Sequence, residues 1–186
     1  MLENFIRFTT VAVLALATTG AGAAPDIASG EYFNQPYLAG IKVVPAWNAG
    51  LLGAGFIIAD LDSGVRATHV DLLGRIVAGG YDFVNDDDDP DDDDDSITDG
   101  HGTASAGVIV GNWNGVGIGG IAPSAQILPV KITDHENLSS GDLIRKGFEF
   151  ATGNAGVRII LLDTVNVPLS AAEFASLQLA VANGKL

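Results

Sequence analysis

The chain contains the segment Phe56-Ile57-Ile58-Ala59-Asp60-Leu61-Asp62-Ser63-Gly64, in which an apolar run ends in two acids and a glycine. Such a short apolar run is typical of a strand that is buried on both faces of a parallel sheet. In open α/β sheets the reactive groups lie where strands end, which makes Asp62 a candidate functional residue. Gly64 permits a sharp turn away from the sheet. Asp60 does not directly precede the Ser-Gly pair, and we expect it to be a structural neighbour.

Strand and helix patterns alternate along the chain from this segment onward. Further apolar runs predict strands at Gln126–Ile132 and Val157–Leu162. Helices are predicted at Ala104–Val110, from Ser139 to about residue 152, and at Ala171–Ala182, and the last two open with capping-box patterns. This alternation predicts an α/β fold with a doubly wound parallel sheet, which we expect to be incomplete on its C-terminal side.

The residues before the first strand carry weaker signals. Residues 24–35 are small and polar and predict an arm without regular structure. Apolar residues then recur at helical spacing, and they predict one helix that is ended by Gly50 and Gly53. These apolar residues are Ile41, Val44, Trp47 and Leu51.

The first 23 residues have the pattern of a secretory signal peptide. Arg7 precedes an apolar stretch, and Ala21-Gly22-Ala23 fits the small-residue cleavage site, so we expect a mature domain at residues 24–186. The apolar stretch is too short for a stable membrane span. The alternative is a disordered or helical N-terminus, which is favoured by Glu3.

Acidity is concentrated in one stretch. Of the 23 acidic residues, nine lie in residues 86–95, and the formal net charge of the chain is −14. Repulsion and desolvation of these carboxylates predict a solvated loop insertion, with Ca²⁺ binding as the alternative. The Ca²⁺ ligands would be Asp86, Asp88, Asp91 and Asp93. The chain has no basic patch and no cysteine, which excludes a nucleic-acid-binding role and a disulfide scaffold.

A second candidate functional residue is the histidine of Gly100-His101-Gly102-Thr103, at the predicted start of a helix. A helix N-terminus disfavours the imidazolium form and would tend to keep His101 neutral and able to accept a proton. A buried carboxylate beside it would stabilise the charge after proton transfer. Asp62 and His101 are therefore candidates for an orienting acid and a general base.

The segments around these two residues resemble motifs of the subtilisin-like serine proteases, the subtilases. Residues 57–65 with residues 68–72 resemble the Asp motif of that family, and residues 100–107 resemble its His motif. Residues 119–123 and 126–131 are similar to the turn and strand that follow. The resemblance is strong from about residue 31 to 133, and it is closest to secreted bacterial members, including autotransporter passengers.

The resemblance implies a subtilase fold and an endopeptidase activity with Asp62 and His101 as catalytic residues. It also implies a serine nucleophile and an oxyanion-hole Asn, for which the chain has no convincing candidate. Ser105 follows His101 by four residues on the same predicted helix and is expected to be a packing residue, and Asn154 is expected to end a helix. We therefore expect the chain to be catalytically inactive by itself.

Other positions depart from the family pattern. Ala104 stands where the family usually has a second His, and Val70 where Pro is common. The predicted strand at Val157–Leu162 continues into Asp163-Thr164-Val165, whereas a Ser-Leu-Gly-like segment would pair with the substrate backbone. We expect His69 to stabilise its loop and His135 to be exposed.

The sequence thus predicts a secreted subtilase, extracellular or periplasmic, or at the cell surface if it is an autotransporter passenger. It would act on polypeptide substrates and require no cofactor, with Ca²⁺ as an optional ligand. The alternative is a non-catalytic pseudo-protease or fragment that binds Ca²⁺ or a complementing C-terminal segment.

Overall fold

The computed structural model describes residues 24–92, 100–134, 139–163 and 168–186. The predicted signal peptide, His135 and Asp93 lie outside these residues. The helices are α1 (Gly30–Phe33), α2 (Pro36–Gly40), α3 (Val44–Asn48), α4 (His101–Val110), α5 (Gly141–Gly153) and α6 (Ala171–Ala182). The strands are β1 (Ile57–Asp62), β2 (Tyr81–Asp82), β3 (Gln126–Lys131) and β4 (Val157–Leu162), and a 3₁₀ helix covers Val70–Leu72.

The four strands form one parallel sheet in the order β2-β3-β1-β4. In register, Asp62 at the end of β1 lies opposite Lys131 of β3, and Leu61 lies opposite Leu162 of β4. β1 therefore lies inside the sheet and is buried along most of its length, as its apolar sequence predicts. Its carboxyl end meets the ends of β3 and β4 at one edge of the sheet.

Both faces of the sheet are covered, which confirms the doubly wound α/β fold. On one face, α4 packs through Ala106 and Val110 against Ile58 and Ile127. On the other face, α5 and α6 cover a larger core that contains Leu61, Leu128, Val130, Ile144 and Phe148. Burying such aliphatic side chains stabilises a fold by roughly 1.5–3 kcal/mol each.

The predicted helix boundaries hold best where capping chemistry defines them. Ser170 and Glu173 form both halves of a capping box, and α6 has the bounds predicted from the sequence. In α5 the N-cap is Ser140, whose hydroxyl accepts from the Leu143 backbone. Ser139, the residue proposed from the sequence, instead donates its hydroxyl to the carbonyl of Ile132.

Two predictions for the region before β1 are partly wrong. Residues 24–35 are not wholly without regular structure, because α1 lies within them and Gln35 is buried, donating through its side-chain amide to Glu31. The single helix predicted from Ile41 to Leu51 is only the short α3, and both of those residues are exposed. Trp47 is buried, and its indole N–H donates to the carbonyl of Ile121, so it anchors this region to the domain.

Helices long and apolar enough to cross a bilayer are absent from the part of the chain that the structure describes.

Candidate active site

Asp62 lies at the carboxyl end of β1 and is fully buried. The backbone N–H of Ser63 donates to its Oδ1 at 2.6 Å, which fixes the carboxylate. The chain then turns at Gly64, whose φ of +101° favours glycine. A Cβ atom at this position would lie only 2.7 Å from the carbonyl oxygen of Asp91, so the turn requires glycine for space as well.

His101 is the first residue of α4, and its Nδ1 lies 2.8 and 2.9 Å from the two carboxylate oxygens of Asp62. An ionised carboxylate can only accept hydrogen bonds, so Nδ1 carries the hydrogen in the neutral ring. This tautomer leaves the lone pair on Nε2, for which the described residues provide no hydrogen-bond partner. The His101 side chain is 44% exposed while that of Asp62 is 1% exposed, so Nε2 is accessible to a reacting group.

Gly102 makes this approach of helix and strand possible. Its backbone N–H donates to Ser63 Oγ at 3.0 Å. A Cβ atom there would overlap the carbonyl oxygen of Gly64 and lie 3.1 Å from the Cβ of Asp62. A side chain at position 102 would therefore push the start of α4, and His101 with it, away from β1.

The expectation that the whole acidic run is solvated is wrong at Asp92. Asp86 to Asp89 are exposed, but Asp92 is only 2% exposed. Its carboxylate accepts from the backbone N–H and the hydroxyl of Thr103, at 3.2 and 2.6 Å, and from Ser63 Oγ at 3.3 Å. Desolvation is offset by these bonds in the first turn of α4, where the helix dipole also favours a negative charge.

The pKa of His101 is set by opposing influences. Burial lowers it, but the hydrogen bond and charge of Asp62, together with the charges of Asp163 and Asp92, outweigh burial and raise the pKa above its ordinary value. Asp92 is thus a residue of the acidic run whose charge raises the pKa of His101. Burial raises the pKa of Asp62, although the hydrogen bonds from His101 and Ser63 oppose that shift.

Comparison with known protein families assigns the segment that carries this geometry to one family. The model of the Subtilase family matches residues 53–162, which include Asp62, His101 and all four strands. The chain belongs to the subtilase family.

Two relatives and one solved structure show how much of a subtilase the chain represents. The minor extracellular protease Epr of Bacillus subtilis is 40% identical over 141 residues, 75% of this chain and 19% of Epr. The major intracellular serine protease of the same organism is 43% identical over 101 residues, 53% of this chain and 31% of that protein. A cold-adapted subtilisin-like serine proteinase aligns with a TM-score of 0.58 at 27% identity, over 70% of this chain and 45% of that one. The chain spans less than half the length of each.

Asp163 is a third residue of this candidate site, and the sequence predicts no functional role for it. It directly follows β4, and its backbone N–H donates to the carbonyl of Leu61, which carries it beside Asp62. Its carboxylate lies close to the two candidate catalytic residues, with one ligand-type atom of each within 4.8 Å of the others. The signal that could have found it is its position, because β4 ends at the same edge of the sheet as β1.

Two described serines near the dyad have hydroxyl groups that already donate hydrogen bonds to carboxylates. Ser105 Oγ donates to Asp163 Oδ2 at 3.1 Å, and Ser63 Oγ donates to Asp92. Neither hydroxyl is bonded to His101. Asn154 is the C-cap of α5, and His69 Nδ1 accepts from the Asp71 backbone within its own loop, as predicted.

The acids proposed as Ca²⁺ ligands do not converge among the described residues. Asp86 and Asp88 are exposed, Asp86 accepts from the hydroxyl of Tyr81, and the carbonyl of Asp91 accepts from Lys131 Nζ. Asp93 lies outside the described residues. Within them, the carboxylate and imidazole groups that do converge are those of Asp62, His101 and Asp163.

Asp60 has a buried carboxyl group whose two oxygens have no hydrogen-bond partner among the described residues. Burial, followed by the charges of Asp62, Asp163 and Asp92, raises its pKa well above the ordinary value. Asp60 lies two residues before Asp62 on β1, as expected for a structural neighbour. Its carboxyl group is nevertheless costly to bury in the charged form.

We expect Asp60→Asn to raise the free energy of unfolding at pH 8 by about 1–3 kcal/mol, because it removes an uncompensated buried charge. A raised folded-state pKa means that the wild-type carboxyl favours the fold at low pH and that this contribution is lost as pH rises through the folded pKa. The gain from Asn should therefore shrink as pH falls. Urea unfolding of both proteins at pH 5 and pH 8 measures it, and an equal or lower stability of the variant at pH 8 would contradict the expectation.

Proposed function

We propose that Asp62 and His101 are the acid and the general base of a serine endopeptidase. The observation that carries this proposal is the pair of short contacts from His101 Nδ1 to the Asp62 carboxylate, in a His101 side chain that is 44% exposed and whose Nε2 has no hydrogen-bond partner among the described residues. In this tautomer Nε2 accepts the proton of an attacking serine hydroxyl, and Asp62 stabilises the imidazolium that forms while remaining ionised. Nε2 then returns the proton to the leaving amine.

The nucleophile is the part of this machinery that we propose the chain does not supply. Among the described residues, Ser63 and Ser105 lie near the dyad and donate to carboxylates, and a hydroxyl held in this way is not activated by His101. The reaction needs no cofactor, since proton transfer and charge stabilisation come from side chains. The substrates are polypeptides, as the protease names of the relatives suggest.

The purified chain should neither hydrolyse casein nor react covalently with a fluorophosphonate probe. Epr, assayed in parallel, is the positive control. Covalent labelling of the chain that disappears in His101→Ala would contradict the proposal and show that a serine of this chain is the nucleophile. Ser63→Ala and Ser105→Ala would then identify which one it is.

A second candidate function is the binding of a complementing segment, and the edge of β4 favours it. Leu186 accepts from the backbone N–H of Ile160 and donates to the carbonyl of Arg158, which begins a parallel pairing on the outer side of β4. An added strand in the same direction would extend the sheet. This function is compatible with the first if the added segment brings the nucleophile.

We also propose that the protein is exported after cleavage near residue 24. Support comes from the signal-like first 23 residues and from Epr, which is named as an extracellular protease. The other relative is named as an intracellular protease, so the family alone does not decide the location.

A further inference from the structure

We propose that Asp62, His101 and Asp163 form a binding site for Zn²⁺, in which the metal ion replaces the hydrogen on His101 Nδ1. Bound Zn²⁺ would hold the dyad in a state that cannot act as a general base. This catalytic consequence rests on the proposed function, whereas the metal site itself rests only on the residues and their positions.

The three side chains converge closely enough for small movements to place one atom of each around a Zn²⁺ ion. One atom from each lies within 4.8 Å of the other two, and His101 Nδ1 is 2.8 Å from Asp62 Oδ1. Zn²⁺ binds nitrogen and oxygen ligands at about 2.0–2.2 Å, so the ligand atoms of a tetrahedral set lie about 3.3–3.6 Å apart, and His101 would move away from Asp62 by roughly 0.5 Å to admit the ion. A water molecule would complete a tetrahedral set.

Two residues next to these ligands favour the binding of a metal ion. Ser105 Oγ donates to Asp163 Oδ2 at 3.1 Å, which orients the carboxylate as hydrogen bonds outside a metal's ligand set commonly do. Asp60 lies two residues before Asp62 on β1, so both side chains point to the same face of the sheet. The Asp60 carboxyl is 1% exposed and has no hydrogen-bond partner in the part of the chain that the structure describes, and a cation at the adjacent cluster would offset its charge.

The mixed ligand set selects the metal. An imidazole nitrogen with two carboxylates suits Zn²⁺ and related transition-metal ions. Ca²⁺ prefers six to eight oxygen ligands, which this cluster does not offer. The partial exposure of His101 gives an ion access from solvent.

Metal binding changes the tautomer of His101. The hydrogen leaves Nδ1 for water and Nε2 takes one from water, so that the neutral ring stays neutral with Zn²⁺ on Nδ1. If the ring starts as imidazolium, one proton is released to the buffer. In both cases Nε2 carries a hydrogen and has no lone pair with which to accept the proton of a serine hydroxyl.

Titration of the purified full chain with ZnCl₂ at pH 8, followed by nitrogen NMR of the imidazole rings, tests the site. We expect saturable binding in which His101 changes from the Nδ1–H to the Nε2–H tautomer, and no such change with CaCl₂. Asp163→Asn should weaken Zn²⁺ binding by at least about 10-fold, because it removes a ligand. Asp88→Asn, which changes an exposed acid of the run, should leave the affinity unchanged.

Retention of the Nδ1–H tautomer at saturating Zn²⁺, or equal affinity in wild type and Asp163→Asn, would overturn the proposal. Ser105→Ala is a milder second variant that keeps all three ligands and removes only the orienting hydroxyl. It should weaken binding by a smaller factor, and unchanged affinity in a folded Ser105→Ala protein would contradict the supporting role of that hydroxyl. These readouts do not depend on proteolysis, so a failure of the proposed function would not affect them.

Discussion

Asp62→Asn should lower the pKa of His101 from its raised wild-type value. In the wild type, burial lowers this pKa, and the hydrogen bond and charge of Asp62, together with the charges of Asp163 and Asp92, more than reverse the effect. Asn keeps the burial but carries no charge, and its amide group can donate to Nδ1 and stabilise the wrong tautomer. In a subtilase that includes its nucleophile, the same substitution should reduce kcat by a factor on the order of 10⁴.

NMR titration of the His101 imidazole in both proteins measures the shift. Asp86→Asn is the matched control, since Asp86 is exposed and its charge is not among those that raise the pKa of His101. Its titration curve should coincide with that of the wild type. An unchanged His101 pKa in Asp62→Asn would mean that the two side chains are not paired in solution.

This pairing also has a consequence for stability. Because the folded-state pKa of His101 is raised, the pair stabilises the fold fully below the unfolded value of about 6.5, and the contribution is lost as pH rises through the folded pKa. Asp62→Asn should remove this part of the pH dependence.

Gly102→Ala should destabilise the fold by about 1–3 kcal/mol or more and break the contact between His101 and Asp62. The added Cβ would overlap the backbone oxygen of Gly64 and press on Asp62, and neither can yield without moving a strand end or a helix. Although Ala is a better helix former than Gly, this steric effect outweighs its propensity advantage of about 1 kcal/mol. Urea unfolding reports the stability, and the His101 pKa reports the contact.

Gly153→Ala is the control for this substitution. Gly153 is the last residue of α5 and a Cβ atom there would have no neighbour within 4 Å. Its replacement should leave His101 unchanged and alter stability only slightly, in the stabilising direction. If Gly102→Ala behaved like this control, α4 would not pack against β1 as closely as the structure shows.

The sequence predicts the parts of this fold that local chemistry specifies. The strands β1, β3 and β4 are apolar runs, α4 begins within a Gly-His-Gly segment, and α6 begins with a capping box. Asp62 and His101 were predicted for the same reason, since each lies where an element ends or begins. Their partnership then follows from the parallel sheet.

Features that depend on tertiary contacts were not predictable in this way. The burial of Asp92 depends on hydrogen bonds with Thr103 and Ser63, residues that are distant in sequence, whereas Asp86 to Asp89 of the same run are exposed. The two-residue strand β2 has no periodicity to detect. Asp163 was noticed only as a departure from a family pattern, because its proximity to Asp62 becomes visible only once the register of β1 and β4 is known.

The most direct test of the proposed dyad is fluorophosphonate labelling of a fusion protein. In this fusion, residues 24–186 are followed by the part of Epr that comes after the matched region, and that part would supply the family's serine motif. We predict that the folded fusion is labelled and hydrolyses casein. Its His101→Ala variant should be labelled slower by a factor on the order of 10⁴ or more. A folded fusion that is not labelled, or one that is labelled equally fast with Ala at position 101, would contradict the assignment of His101 as the general base.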